Sequence, residues 1–124
     1  MKYEEIVADL KAGKYAPIYF LSGEESYFLD DIATRIEKNA LTEDEKAFNQ
    51  TILYGNDVSM TTVTDTARRF PMMSQRQVVI VKEAQNIRDF ENLLPYIDHL
   101  QPTTILVFLY KNLSLIHISE PTRP

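Results

Sequence analysis

The chain has 124 residues, 44% of them hydrophobic, and a net charge of -5 from 13 Lys and Arg against 18 Asp and Glu. That length suits one domain with a real core, and the acidic balance excludes a surface built as a whole to neutralise nucleic-acid phosphates, so any DNA contact is local or supplied by partners. With zero cysteines, disulfides and thiolate metal sites are excluded; no apolar run reaches the roughly 20 residues of a membrane span and the first residues lack signal-peptide order, which makes the cytoplasm the expected compartment.

In chain order, Ile6, Val7 and Leu10 among charged residues predict a short first helix that stops at Gly13. "APIYFLSG" predicts a strand over Ile18 to Leu21, apolar enough to be buried on both faces of a parallel sheet. A second helix carries Phe28, Ile32, Ile36 and Ala40, joined into one stripe by Leu29 and Ala33, with Asp30 and Asp31 on its solvated face. "TEDEKA" reads as a charged connector and "FNQTILYG" as a second strand, polar enough to lie near a sheet edge. Ser59 is placed to cap a third helix in which Met60, Val63, Ala67 and Phe70 share a face. Pro71 disfavours helical geometry at Phe70 and ends that helix there.

Four consecutive branched aliphatics, Val78 to Val81, mark the central strand in "QVVIVKEA". Ile87, Phe90, Leu94 and Ile97 predict a fourth helix, kinked or divided at Pro95. "TTILVFLY" gives a last buried strand over Thr104 to Leu109. This alternation predicts an α/β fold, a parallel sheet flanked by helices on both faces. After Lys111 the character changes: "NLSLIHISEPTRP" reads as an atypical tail, a truncation scar or artefact, so the domain is expected over 1–111 with 112–124 set apart.

The stretch "FLSGEESYFLDD" offers a strand, a glycine and a helix start, the parts of a phosphate-binding loop. Gly23 is followed by Glu24, Glu25 and Ser26, with no Lys before Tyr27. Two carboxylates about 4 Å from a phosphate would cost several kcal/mol at intermediate dielectric. Glu24 and Glu25 serve instead as first-turn acids that offset the helix dipole. The central strand ends in Lys82-Glu83, a cation where a nucleotide-hydrolysing fold needs its metal-holding acid. Gly23, Glu24, Glu25, Lys82 and Glu83 therefore describe a degenerate nucleotide site that binds nothing, and no cofactor or metal is expected. A phosphoacceptor domain fails on the same Lys82. His99 and His117 are isolated, and Ser22, Ser26 and Ser74 lack a base partner, so no catalytic site is expected; the enzymatic alternative is an ATPase or phosphotransfer domain using the first turn.

The segment with functional character is "RRFPMMSQRQ", between the third helix and the central strand. Phe70 continues the stripe of Met60, Val63 and Ala67 and reads as core. Met72 and Met73 are adjacent, cannot both point inward from an extended turn, and leave at least one large apolar side chain in water.

"APIYFLSGEESYFLDD", "FNQTILYGNDVSMTTVTDTARRFPMMSQRQVVIVKEAQ" and "PTTILVFLYK" together resemble the N-terminal domain of the delta-subunit family of bacterial DNA polymerase III, a clamp loader component, over about Tyr3 to Lys111. The resemblance implies an AAA+/P-loop-NTPase-like (RecA-like) fold with a degenerate nucleotide site. It also implies a non-catalytic DNA replication subunit of the polymerase holoenzyme that binds the beta sliding clamp through an apolar loop and helps open the ring for loading onto primed DNA. Carried over by position, the clamp-binding side chains fall on Met72 and Met73 with Phe70 alongside; the family often has Leu-Phe where this chain has Met-Met. Implied partners are the clamp and the other loader subunits, gamma/tau and delta-prime, the latter through regions absent here, with DNA contacted only within the full complex and no membrane. The alternative is a delta-prime-like or other inactive AAA+ scaffold that does not touch the clamp.

Overall fold

The computed structural model describes residues 3–23 and 26–111. Helix α1 spans Tyr3–Lys11, strand β1 Ile18–Gly23 and helix α2 Ser26–Asn39. Helix α3 (Glu43–Asn49) leads directly into β2 (Gln50–Tyr54), α4 spans Met60–Ala67 and β3 Gln77–Lys82. Two single 3-10 turns (Ala84–Asn86 and Phe90–Leu93) and the short α5 (Leu94–Asp98) then connect to β4 (Thr104–Lys111).

The four strands form one parallel sheet in the order β1-β4-β3-β2. Alternation along β3 and β4 divides the core into two layers. Val78 and Ile80 with Ile105, Val107 and Leu109 pack under α1 and α2, against Leu10, Leu29, Ile32, Ala33 and Ile36. Val79 and Val81 with Leu106 and Phe108 pack under α4 and α5, against Met60, Val63, Ala67, Leu93 and Tyr96. Val78 to Val81 are wholly buried, as expected of a central strand covered on both faces.

Several expectations are corrected. β1 lies at an edge of the described sheet, and Phe20 is partly exposed, stacked on Phe108 with ring centroids 5.3 Å apart. "TEDEKAFN" forms α3 because Thr42 and Glu45 make a reciprocal capping box: Thr42 Oγ1 accepts the Glu45 N–H at 3.3 Å and Glu45 Oε1 accepts the Thr42 N–H at 2.8 Å. In place of the expected fourth helix are one separate 3-10 turn and a second that runs straight into a short helix with Pro95 in its first turn, where a missing N–H is harmless. Ile87, Leu93 and Tyr96 face the core while Leu94 and Ile97 are exposed. Asp31 is not a free surface acid: the Tyr3 hydroxyl and Arg35 Nε both donate to its Oδ2, at 2.5 and 2.8 Å, tying α1 to α2.

Candidate protein-interaction site

Ser59 caps α4 as expected, its Oγ accepting the Thr62 N–H at 3.2 Å. The helix nevertheless ends at Ala67, three residues before Phe70. Its last carbonyls need partners, and two residues paired across β3 and β4, Gln77 and Thr104, supply them. Gln77 Nε2 lies 3.0, 3.2 and 2.9 Å from the carbonyl oxygens of Thr66, Ala67 and Arg69, and Thr104 Oγ1 donates to the Ala67 carbonyl at 2.5 Å. This buried polar knot stops the helix early. Phe70 is therefore turned out of the core, 79% exposed, contrary to the stripe reading.

Beyond Pro71 the loop is held at two points. Asn49, 2% exposed at the end of α3, brackets Met72: its Oδ1 accepts the Met72 N–H at 2.7 Å and its Nδ2 donates to the Met72 carbonyl at 2.8 Å. The Ser74 hydroxyl lies 2.8 Å from Glu45 Oε2 and 2.9 Å from the Arg76 carbonyl. Ser74 thus does have a carboxylate neighbour, but one that braces a turn and itself caps α3. The Thr42 backbone N–H and then the Ser74 hydroxyl hold the Glu45 carboxyl below the usual carboxylate range. The Arg76 guanidinium covers the Tyr15 ring at 4.8 Å.

Between the two fixed residues, Met73 takes a left-handed backbone conformation, φ 56°, uncommon for a side chain without a local hydrogen bond. It is 97% exposed and Met72 60%. The sequence placed at least one large apolar group in water here; the structure exposes Phe70, Met72 and Met73 together. Sequence reading missed the supports, Asn49, Glu45 and Gln77. The Thr42–Glu45 capping signature was present in the sequence; Asn49 and Gln77 act on residues beyond one helical turn or strand repeat and leave no local pattern.

The residues of the expected degenerate nucleotide site lie at the other end of the sheet. Gly23 ends β1 opposite Lys111, and Lys82 ends β3 opposite Tyr54; Glu24 and Glu25 fall outside the described residues. The loop precedes β3 and Lys82 closes it, so the six-residue strand separates them by about 17–20 Å. The Gly55 N–H donates to the Lys82 carbonyl at 2.8 Å, and Glu83 has a positive φ of 55°. His99 is exposed at the end of α5, and His117 lies outside the described residues. Among the described residues, no group of three or more His, Cys, Asp or Glu side chains is placed to hold a metal, and no helix is long and apolar enough to cross a membrane.

A family model described as "DNA polymerase III, delta subunit" matches residues 19–115. The DNA polymerase III subunit delta of Bacillus subtilis is 31% identical over 78 residues, which cover 63% of this chain and 22% of that protein. Among solved structures, the Bacillus subtilis DNA clamp loader delta protein superposes with a TM-score of 0.79 at 27% identity, over 90% of this chain and 36% of the other. A DNA polymerase III gamma subunit-related protein of Thermotoga maritima superposes at 0.62 with 14% identity, over 90% of this chain and 40% of the other, a likeness of fold alone. The chain thus spans about a fifth of the curated relative and about a third of the solved one. The parallel sheet covered by helices is a RecA-like α/β fold of the AAA+ type. Matched across most of its length, the chain belongs to the delta-subunit family of DNA polymerase III, a family of clamp loader subunits.

Proposed function

We propose that this chain is the clamp-engaging N-terminal domain of a bacterial delta subunit, which binds the beta sliding clamp through Phe70, Met72 and Met73 and helps open the ring for loading onto primed DNA. The observation that carries this reading is the pair of adjacent exposed methionines on a loop whose backbone Asn49 already fixes. Anchors held out in advance lose less conformational entropy on docking. Their flexible thioethers adapt to an apolar pocket where a rigid side chain needs a closer fit.

The domain acts without catalysis. Gly23 followed by Glu24 and Glu25, with Lys82-Glu83 after the central strand, keeps the frame of a nucleotide site without its phosphate-binding Lys or its metal-holding acid. It takes no cofactor. By its sequence the domain is residues 1–111, with 112–124 an atypical tail. Other loader subunits, gamma/tau and delta-prime, are its partners in the complex, DNA contact arises within the full complex, and the compartment is the cytoplasm.

The test is binding of the chain to an immobilised bacterial sliding clamp. Saturable binding is expected, and Met72→Asp with Met73→Asp should abolish it while the circular dichroism spectrum and melting temperature stay unchanged, since both side chains are exposed. Burial of each is worth roughly 1.5–3 kcal/mol, and a tenfold change in affinity is about 1.4 kcal/mol, so even partial burial of both gives a loss of about a hundredfold or more. Undiminished binding by the double variant overturns the reading. Capture of other loader subunits without the clamp would point to an inactive AAA+ scaffold instead.

A further inference from the structure

We propose that Phe48 is a fourth anchor of the same surface, docking on the clamp beside Met72 and Met73; the inference rests on the clamp-binding reading above. Helix α3 turns one defined side to the loop. Glu45 meets Ser74 at 2.8 Å, and Asn49, one turn later, brackets Met72. Side chains three and four apart on a helix are neighbours, so Phe48, three residues after Glu45, projects from the margin of the loop-facing side. It directly precedes Asn49, the residue that fixes Met72.

The ring is 71% exposed, although a packed aromatic side chain buries on the order of 150–250 Å². A lone exposed Phe carries no message, but this one directly precedes Asn49, which hydrogen-bonds the backbone of a loop bearing three other exposed apolar side chains, Phe70, Met72 and Met73. Several large apolar side chains exposed on one hydrogen-bonded unit point to an interaction site, and aromatic anchors are among the residues that carry most of an interface's energy. The occupant fits the same description for all four: a clamp surface with an apolar cleft for the methionines and an apolar shelf beside it for the ring. Phe48 then sets how the domain is oriented on the clamp, because it approaches from α3 while the methionines approach from the loop.

The experiment titrates the whole chain and Phe48→Ala against a bacterial sliding clamp, with Tyr27→Ala as a control. Tyr27 is similarly exposed but starts α2, at the far end of the sheet. Phe48→Ala should weaken binding about ten- to fiftyfold without changing the melting temperature, and Tyr27→Ala should not weaken it. Hydroxyl-radical footprinting of the unaltered chain should show Phe48 protected by the clamp, which gives a reading independent of any substitution. A loss under about twofold, or an unprotected ring in the complex, overturns the inference while leaving the clamp reading intact if the methionine pair remains essential. Absence of clamp binding by the unaltered chain overturns both.

Discussion

Asn49 and Met72 are joined by two hydrogen bonds, one in each direction: the Asn49 amide accepts the Met72 N–H at 2.7 Å and donates to the Met72 carbonyl at 2.8 Å. A third bond, from Asn49 Nδ2 to the Glu45 carbonyl at 3.0 Å, ties the same side chain to its own helix. Asn49→Ala removes the partner of these part-buried backbone groups and leaves a gap at a buried side-chain position, at a cost of about 1–3 kcal/mol. Asn49→Asp keeps an acceptor for the Met72 N–H but turns an anion toward two carbonyl oxygens, and should be no better tolerated. Urea unfolding measures the loss, and proteolysis within residues 70–75 should accelerate in both variants. Unchanged stability and unchanged cleavage would mean that the loop holds its shape by other means.

Gly55 and Glu83 make a second pair in which backbone space decides the outcome. A Cβ on Gly55 would lie 2.0 Å from the Glu83 carbonyl oxygen and 3.0 Å from its carbon, so Gly55→Ala has to push the β2 and β3 ends apart. The expected cost is about 1–3 kcal/mol or more. Glu83 itself sits at a φ of 55° that costs an ordinary side chain roughly 1–2 kcal/mol. Glu83→Gly relieves that strain while loosening the unfolded chain, and should stay within about 1 kcal/mol of the parent. Chemical denaturation of the two variants should give shifts of clearly different size; equal destabilisation would contradict the geometry.

The strands are the most legible part of this sequence. Val78 to Val81 and Ile105 to Leu109 are continuous apolar runs of the kind found in doubly covered parallel strands, and "FNQTILYG" is polar enough to fall at an edge. Helix α3 is hidden in the sequence because Phe48-Asn49 runs without a break into β2, although the Thr42–Glu45 capping pair announces its start. Phe70 is misread for a different reason. Its spacing from Ala67 continues a helical stripe, but Gln77 and Thr104 gather the carbonyls of α4 one turn earlier. Such long-range side-chain contacts have no periodicity to read. The methionines could be singled out from their adjacency alone; what holds them out in the solvent could not.

Stability should fall in acid, with a slope set by three hydrogen-bonded carboxylates. The Arg35 guanidinium and then the Tyr3 hydroxyl hold Asp31 below its ordinary value. The Thr42 backbone N–H and Ser74 do so for Glu45, and the Met60 backbone N–H with the Asn92 amide for Asp89. A depressed native pKa means that the unfolded chain binds the proton more tightly. These contributions are therefore fully present above the ordinary carboxylate range of about 4 and are lost as pH drops through the lower native values. Urea midpoints measured between about pH 6 and pH 2 should decline below about pH 4, and Asp31→Asn should flatten that limb, because an amide there no longer titrates. An acid limb with the same slope in parent and variant would remove Asp31 from the account.

The nucleotide question is settled at the bench by calorimetry with Mg-ATP. A phosphate loop needs backbone N–H groups, a Lys and a metal-bearing acid at the carboxyl ends of the strands. At those ends this chain carries Gly23 followed by two glutamates, and Lys82 closing the central strand. Repair of one half should not restore the other: Lys82→Asp supplies an acid for Mg²⁺ but leaves Glu24-Glu25 in the sequence where a phosphate loop needs its Lys, and adds a further negative charge. Neither the parent nor Lys82→Asp should give saturable heat with Mg-ATP. Because the loop at Met72 and Met73 lies at the opposite end of β3, Lys82→Asp should also leave clamp affinity unchanged. Micromolar ATP binding by the parent would refute the degenerate-site argument, and a clamp affinity that followed residue 82 would refute the separation of the two ends of the sheet.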